Sequence, residues 1–175
     1  MRQRITIIFG IAALALVATT AALAGTLTTT ATITGVSGVS LVAPATAAFS
    51  NTLTGADQTA TYSAPINITD ASGSGSGWKL TVAATVFKNG THTLAAGKIT
   101  AAGQTCHALS SCTLATNAVG YPLTLGTTAA SAFKAAAATG LGQIDLTPTF
   151  SVLIPGNAYQ GTYTSTVTLA ATTGP

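Results

Sequence analysis

A strict alternation of side chains starts abruptly at Trp78, the only tryptophan, directly after the small-residue run Gly73-Ser74-Gly75-Ser76-Gly77. Along an extended chain Trp78, Leu80 and Val82 point one way and Lys79 and Thr81 the other, the period of a half-buried strand. Glycines ahead of so large a ring give a mobile turn with no Cβ to clash. One such strand needs others to cover its apolar face, and the remaining sequence supplies them. Residues 25–34 alternate Leu27, Thr29, Ala31 and Ile33 against threonines, a strand with the weak apolar face of a sheet edge. Short candidates follow at 36–42 and 49–53. In 59–69, Tyr62, Ala64, Ile66 and Ile68 share a face, and Pro65 marks an edge or bulge.

The Trp78 strand runs to about Phe87, where Lys88-Asn89-Gly90-Thr91 is a hairpin signal. Further strands are expected at 93–100 and 121–125. The cleanest is 144–154, with Ile144, Leu146, Phe150, Val152 and Ile154 all on even numbers and Pro148 in the same register. Pro155-Gly156-Asn157 turns the chain, and 162–171 closes it with Tyr163, Val167 and Leu169 on one face. Residues 129–138 are alanine-rich and predict the one short helix, docked through Phe133. Many short strands separated by Gly, Pro and Asn turns indicate an all-β fold, an antiparallel β-sandwich of the immunoglobulin-like kind, in one domain.

The N-terminus has the form of an export leader. Met1-Arg2-Gln3-Arg4 is basic, an apolar stretch follows, and Ala22-Leu23-Ala24 is a small-x-small cleavage box, so residues 1–24 are expected to be removed. A retained anchor is the alternative, against which Thr19, Thr20 and the cleavage box speak. No second hydrophobic run follows, so no membrane span is expected in 25–175, and the C-terminus carries no covalent sorting signal. The product is read as secreted and extracellular. Cleavage also takes both arginines, leaving four lysines against three aspartates, so the formal charge falls from +3 to +1. That is too small to steer the protein toward nucleic acid or anionic lipid.

Cys106 and Cys112 fit a single disulfide in an exported chain. A metal pair with His107 as third ligand lacks a fourth, so neither metal nor cofactor is expected. Catalysis is equally poorly served. The acids and bases are Asp57, Asp70, Asp145, His92 and His107, with no glutamate, no paired carboxylates and no Gly-x-Ser-x-Gly elbow. Gly73 to Gly77 leads into a strand and lacks the Lys-Ser/Thr of a phosphate loop. Asn67-Ile68-Thr69 and Asn89-Gly90-Thr91 are formal glycosylation sequons. Trp78 has two readings: a ring filling the space between sheets, or a platform stacking on a sugar or a neighbouring subunit.

Gly77-Trp78-Lys79-Leu80-Thr81-Val82, preceded by Asp70-Ala71-Ser72-Gly73, resembles the first motif of the WxL domain of Gram-positive surface proteins. The tail from Ile154-Pro155-Gly156-Asn157 through Gly161-Thr162-Tyr163 to Val167-Thr168-Leu169 is similar to that domain's C-terminal block. The family usually carries a second Trp-x-Leu there, and Val167 stands where that tryptophan would be. A contact made by paired tryptophans would be half present in this chain. The resemblance implies non-covalent attachment to cell-wall peptidoglycan, with Trp78, Lys79, Leu80 and Tyr163 as the expected ligand contacts. Other surface proteins, or a second copy of the chain, are further expected partners. A structural subunit of a surface fibre, assembled by adding the 25–34 strand to a neighbour's sheet edge, is the alternative.

Overall fold

The computed structural model describes residues 30–175. The expected leader, 1–24, and most of the expected first strand lie outside those residues. Within 30–34 no strand forms.

Eleven strands are described, and no helix among the described residues. They are β1 (Val39–Val42), β2 (Gln58–Ser63), β3 (Ile66–Asp70), β4 (Trp78–Ala84), β5 (Phe87–Asn89), β6 (His92–Leu94), β7 (Lys98–Cys106), β8 (Leu123–Thr124), β9 (Ala130–Ala135), β10 (Gly142–Ile154) and β11 (Val167–Thr173). All pairings are antiparallel. One sheet runs β1-β3-β10-β7-β8, with β2 continuing along β10 beyond β3. A second runs β11-β4-β9, and β5 and β6 form a separate hairpin. That hairpin turns through Gly90-Thr91, since Asn89 pairs with His92, one residue later than the Asn-Gly dipeptide suggests.

β10 organises the larger sheet. Its even residues from Ile144 to Ile154 are all buried, as their alternation predicts. Pro148 sits in mid-strand, where a missing N–H usually breaks a ladder. The His107 N–H donates to the Gln143 carbonyl at 3.0 Å, so the odd residues of β10 bond toward β7 and the even amides face β3 and β2. Pro148 thus turns its amide edge to the level of Ala64-Pro65, where β2 ends and β3 begins and no donor is needed.

The helix expected over 129–138 is overturned, because Ala130–Ala135 is β9, paired along β4. Alanine favours a helix only when nothing else competes, and one short segment cannot hold a helix alone. Here the open edge of β4 offers a complete ladder, and small side chains are what its neighbour must supply. Ala135 stands opposite Trp78 and is fully buried. A register shift between Leu80 and Thr81 lets adjacent Ala132 and Phe133 both enter the core. The expectation that Phe133 docks holds, on a strand.

Both sheets contribute to one hydrophobic cluster, with Ile66, Ile68, Ile144, Leu146 and Phe150 from the first and Trp78, Leu80, Val82 and Phe133 from the second. Trp78 has no exposed surface. Its ring stacks on Phe133 with centroids 5.4 Å apart, and its indole N–H donates to the Gly140 carbonyl at 2.8 Å. Gly140 has φ +76°, and a Cβ there would lie 2.6 Å from the indole nitrogen.

Gly140→Ala should therefore cost roughly 1–3 kcal/mol, from left-handed strain and displacement of the indole. Trp78→Ala should cost roughly 3–5 kcal/mol. Gly120→Ala, at a position with open space around it, should be close to neutral. Urea unfolding of the three variants checks this, and equal midpoints for the two glycine variants would refute the packing argument.

Candidate functional site

The residues expected to touch a ligand do not form one surface. Trp78 and Leu80 are buried, so the tryptophan offers no face to a sugar, and its platform reading gives way to the core one. Lys79 between them points outward, partly exposed. Tyr163 is elsewhere: it precedes β11 in an irregular stretch, not on a strand, and its hydroxyl donates to the Tyr159 carbonyl at 3.0 Å. Val167, at the position of the absent second tryptophan, pairs with Ala84, whereas Trp78 pairs with Thr173. The two motif positions are thus at opposite ends of the β4–β11 ladder, about 20 Å apart at the usual rise.

Tyr163 lines an open cleft of about 1160 Å³. One wall is the irregular segment 44–53, where a strand was expected over 49–53. The other is 158–165, with Val167 and Leu169 of β11 beyond it. The floor is aromatic. Phe49 stacks on Tyr62 at 5.2 Å, Tyr62 stacks on Phe150 at 4.9 Å, and Phe87 meets Phe49 edge-on at 5.9 Å. Burial raises the Tyr62 hydroxyl above its ordinary pKa, so it stays neutral. Asn51, Gln160, Thr162 and Ser165 bring amides and hydroxyls to the cleft, and among the described residues no charged side chain or histidine lines it.

The 158–165 wall is held against the hairpin. Lys88 and Thr164 exchange backbone hydrogen bonds of 2.9 and 3.0 Å, and the Asn89 amide donates to the Gln160 carbonyl at 3.4 Å. Gly161 permits this approach, since a Cβ there would lie 2.1 Å from the Asn89 amide nitrogen. At the cleft's lip Tyr159 is 64% exposed, and His92 stacks on it from outside with centroids 3.8 Å apart. Sequence reasoning passed over Tyr159. Its place in the tail block beside Tyr163 was the available signal.

The glycine turn before Trp78 is a hydrogen-bonded ladder, not the mobile loop its composition suggests. The Asp70 carboxylate accepts from the Ser72 amide and hydroxyl at 3.0 and 2.6 Å. Ser72 Oγ accepts from the Ser74 amide at 3.2 Å, and Ser74 Oγ from the Ser76 amide at 3.3 Å. Gly73 and Gly75, both at positive φ, let Ser72 and Ser74 reach the amide two residues on. Asp70 is buried, and its second oxygen has no partner.

Cys106 and Cys112 form a disulfide, with Cα atoms 5.5 Å apart. The loop it closes is pinned to β10: the Ser110 hydroxyl donates to the Gln143 side chain at 2.9 Å, and His107 Nδ1 lies 2.9 Å from Asp145. The Asn67 amide also donates to Asp145 at 2.8 Å. Asn67, then His107, hold the Asp145 carboxyl below its ordinary range. Among the described residues no three His, Cys, Asp or Glu side chains converge as a metal site would require, and no helix is long and apolar enough to cross a membrane.

A family model described as WxL domain surface cell wall-binding matches residues 25–169. No curated protein and no solved structure matches the chain.

A depressed folded-state pKa at Asp145 means its stabilisation is complete above the unfolded aspartate value, near 4, and is lost as pH falls through the folded value. Thermal unfolding of the native chain should weaken across that acid window, and Asp145→Asn should weaken less steeply. Parallel acid limbs for the two proteins would mean that the carboxylate carries none of the effect.

Proposed function

The chain belongs to the WxL domain surface cell wall-binding family, and on that premise we propose that it is exported and held non-covalently on the wall by taking a neutral glycan strand of peptidoglycan into the aromatic cleft. The observation that carries this reading is the cleft's chemistry: an aromatic floor, amides and hydroxyls at the sides, and no charge. Hexosamine rings have apolar faces that stack on aromatic rings, while their hydroxyl and N-acetyl groups need the hydrogen-bond partners that Asn51, Gln160 and the threonines bring. Tyr163 keeps its place in the proposed contact set and Tyr159 joins it. Trp78 and Leu80 serve it from the core, by fixing the sheet whose edge strand carries Val167 and Leu169.

Other features agree with this address. The family match begins at residue 25, the first after the expected cleavage at Ala24. The absence of carboxylates, lysines and histidines from the cleft favours binding without turnover. We read the two sheets, with their shared core, as a sandwich.

One observation favours a second reading. Among the described residues β1 pairs only with β3 and β11 only with β4, which leaves one edge of each sheet unpaired there, and Leu41 and Val167 on those two strands both line the cleft. A strand from another copy, such as the alternating 25–34 segment, would find an edge to pair with there. Filaments lost on deleting 25–34 would favour that reading, and a monomer at high concentration would count against it.

The test is retention of the chain, residues 25–175, on washed protein-free Gram-positive walls. Retention should survive high salt, because a neutral cleft gains nothing from charge. Tyr159→Ala and Tyr163→Ala should each weaken it roughly three- to tenfold while leaving a cooperative unfolding transition. Full retention by the folded double variant would rule the cleft out.

A further inference from the structure

On the outward face of the Trp78 strand, Lys79 stands directly opposite Lys134 in the β4–β9 ladder. Directly opposed residues of an antiparallel pair have their Cβ atoms roughly 5 Å apart, and like charges so placed destabilise it. Two of the four lysines beyond the expected leader occupy this single cross-strand pair. None of β4, β9 and β11 carries an acidic residue to offset them. The aspartates lie elsewhere, Asp70 on β3, Asp145 on β10 and Asp57 ahead of β2, and among the described residues neither lysine is in an ion pair.

The surroundings leave both ammonium groups accessible. Thr172 of β11 is opposite Lys79 on the other side, and the next cross-strand row is Ala170, Thr81 and Ser131. These side chains are too short to screen or neutralise the lysines, and both lysines are partly exposed. The row also lies on the face of the sheet opposite the core, at the Trp78 end of β4, whereas the cleft is bordered by Val167 at the Ala84 end.

We propose that Lys79 and Lys134 together form a second contact, a site for the oxyanion groups of a polyanionic wall polymer. A phosphate or carboxylate between two opposed ammonium groups accepts charge-assisted hydrogen bonds from both and removes their repulsion. The ligand is a polymer of repeated anionic groups because the chain's charge beyond the leader is only about +1, too small to attract a single diffusing ion, while repeats supply a high local concentration. The site rests on the wall-binding reading for where such a polymer is met. It differs from the cleft in the ligand it takes: charged here, neutral there.

The experiment titrates the chain, residues 25–175, with poly(glycerol phosphate), with polyglutamate and with neutral chitin oligosaccharides. The proposal expects at least one polyanion to bind at low ionic strength and to be released as salt is raised. Preference for the first names phosphodiester as the group held, and preference for the second names carboxylate. Lys79→Gln and Lys134→Gln should each weaken that binding roughly fivefold. Lys98→Gln, on β7 of the other sheet, should not weaken it. Lys134→Gln should also raise thermal stability slightly, because the repulsion is relieved in the free protein. A wild-type chain that ignores both polyanions, or a folded double variant that binds them as tightly as wild type, would overturn the proposal. Walls stripped of phosphate polymers by hydrofluoric acid separate the two contacts. There, the lysine variants should be retained like wild type, and loss of the wild type itself would count against the cleft instead.

Discussion

The Trp78 indole is the contact on which the architecture turns. Its N–H must find an acceptor once the ring is buried, and the acceptor is the Gly140 carbonyl in the loop entering β10. Its face must find a neighbour, and that is Phe133 of β9. One side chain on β4 therefore fixes its own strand, the strand beside it and the approach to the central strand of the other sheet. The glycines follow from it. Gly140 has no Cβ because the indole occupies that space, and Gly77 has none because the Ala135 carbonyl would lie 2.4 Å from it. Ala135 is small because it shares the ladder rung with the tryptophan. The composition that looks like low complexity around Trp78 is the space a large ring needs.

This changes what the Trp-x-Leu pattern says about function. In an extended strand the first and third residues point inward together and the middle one points out. Trp78 and Leu80 are the inward pair, so the motif's two most conspicuous residues are structural, and the residue free to vary is the one that meets the environment. At the other end of the same ladder, Val167 takes the inward direction at the cleft's edge. A tryptophan there could not pair with Trp78, because the register separates the two positions by the length of β4. Its absence costs no paired platform. It leaves an aliphatic side chain, Val167, at the cleft's edge.

Most of the strands were legible because alternation survives wherever one face is buried. The even residues of β10 and the Tyr62-to-Ile68 face of β2 and β3 are inward as read. What failed lacked that signal. Residues 129–138 are nearly uniform alanine, which fits a helix or a strand beside a tryptophan equally well, and only the open edge of β4 decides. Residues 49–53 look extended but pair with no strand among the described residues, and Phe49 is held by stacking on Tyr62 instead of by a ladder. The site was legible in part. Tyr163 was found through the tail block, but the cleft is assembled from segments about a hundred residues apart, and no local pattern joins Phe49 to Tyr163. Lys134 was invisible for the same reason: its meaning depends on the register that sets it against Lys79.

The division of charge follows from these constraints. Among the described residues the cleft lining holds no ion, and a half-buried charge without a partner there would be costly. The three aspartates each hold a local structure: Asp145, bonded to Asn67 and His107, anchors the disulfide loop, Asp70, bonded to Ser72, starts the serine ladder, and Asp57 accepts from the Gly156 amide. Two of the lysines, by contrast, are set side by side on a face whose other residues are threonine, serine and alanine. Stability alone would separate them. Their opposition departs from what the fold by itself requires.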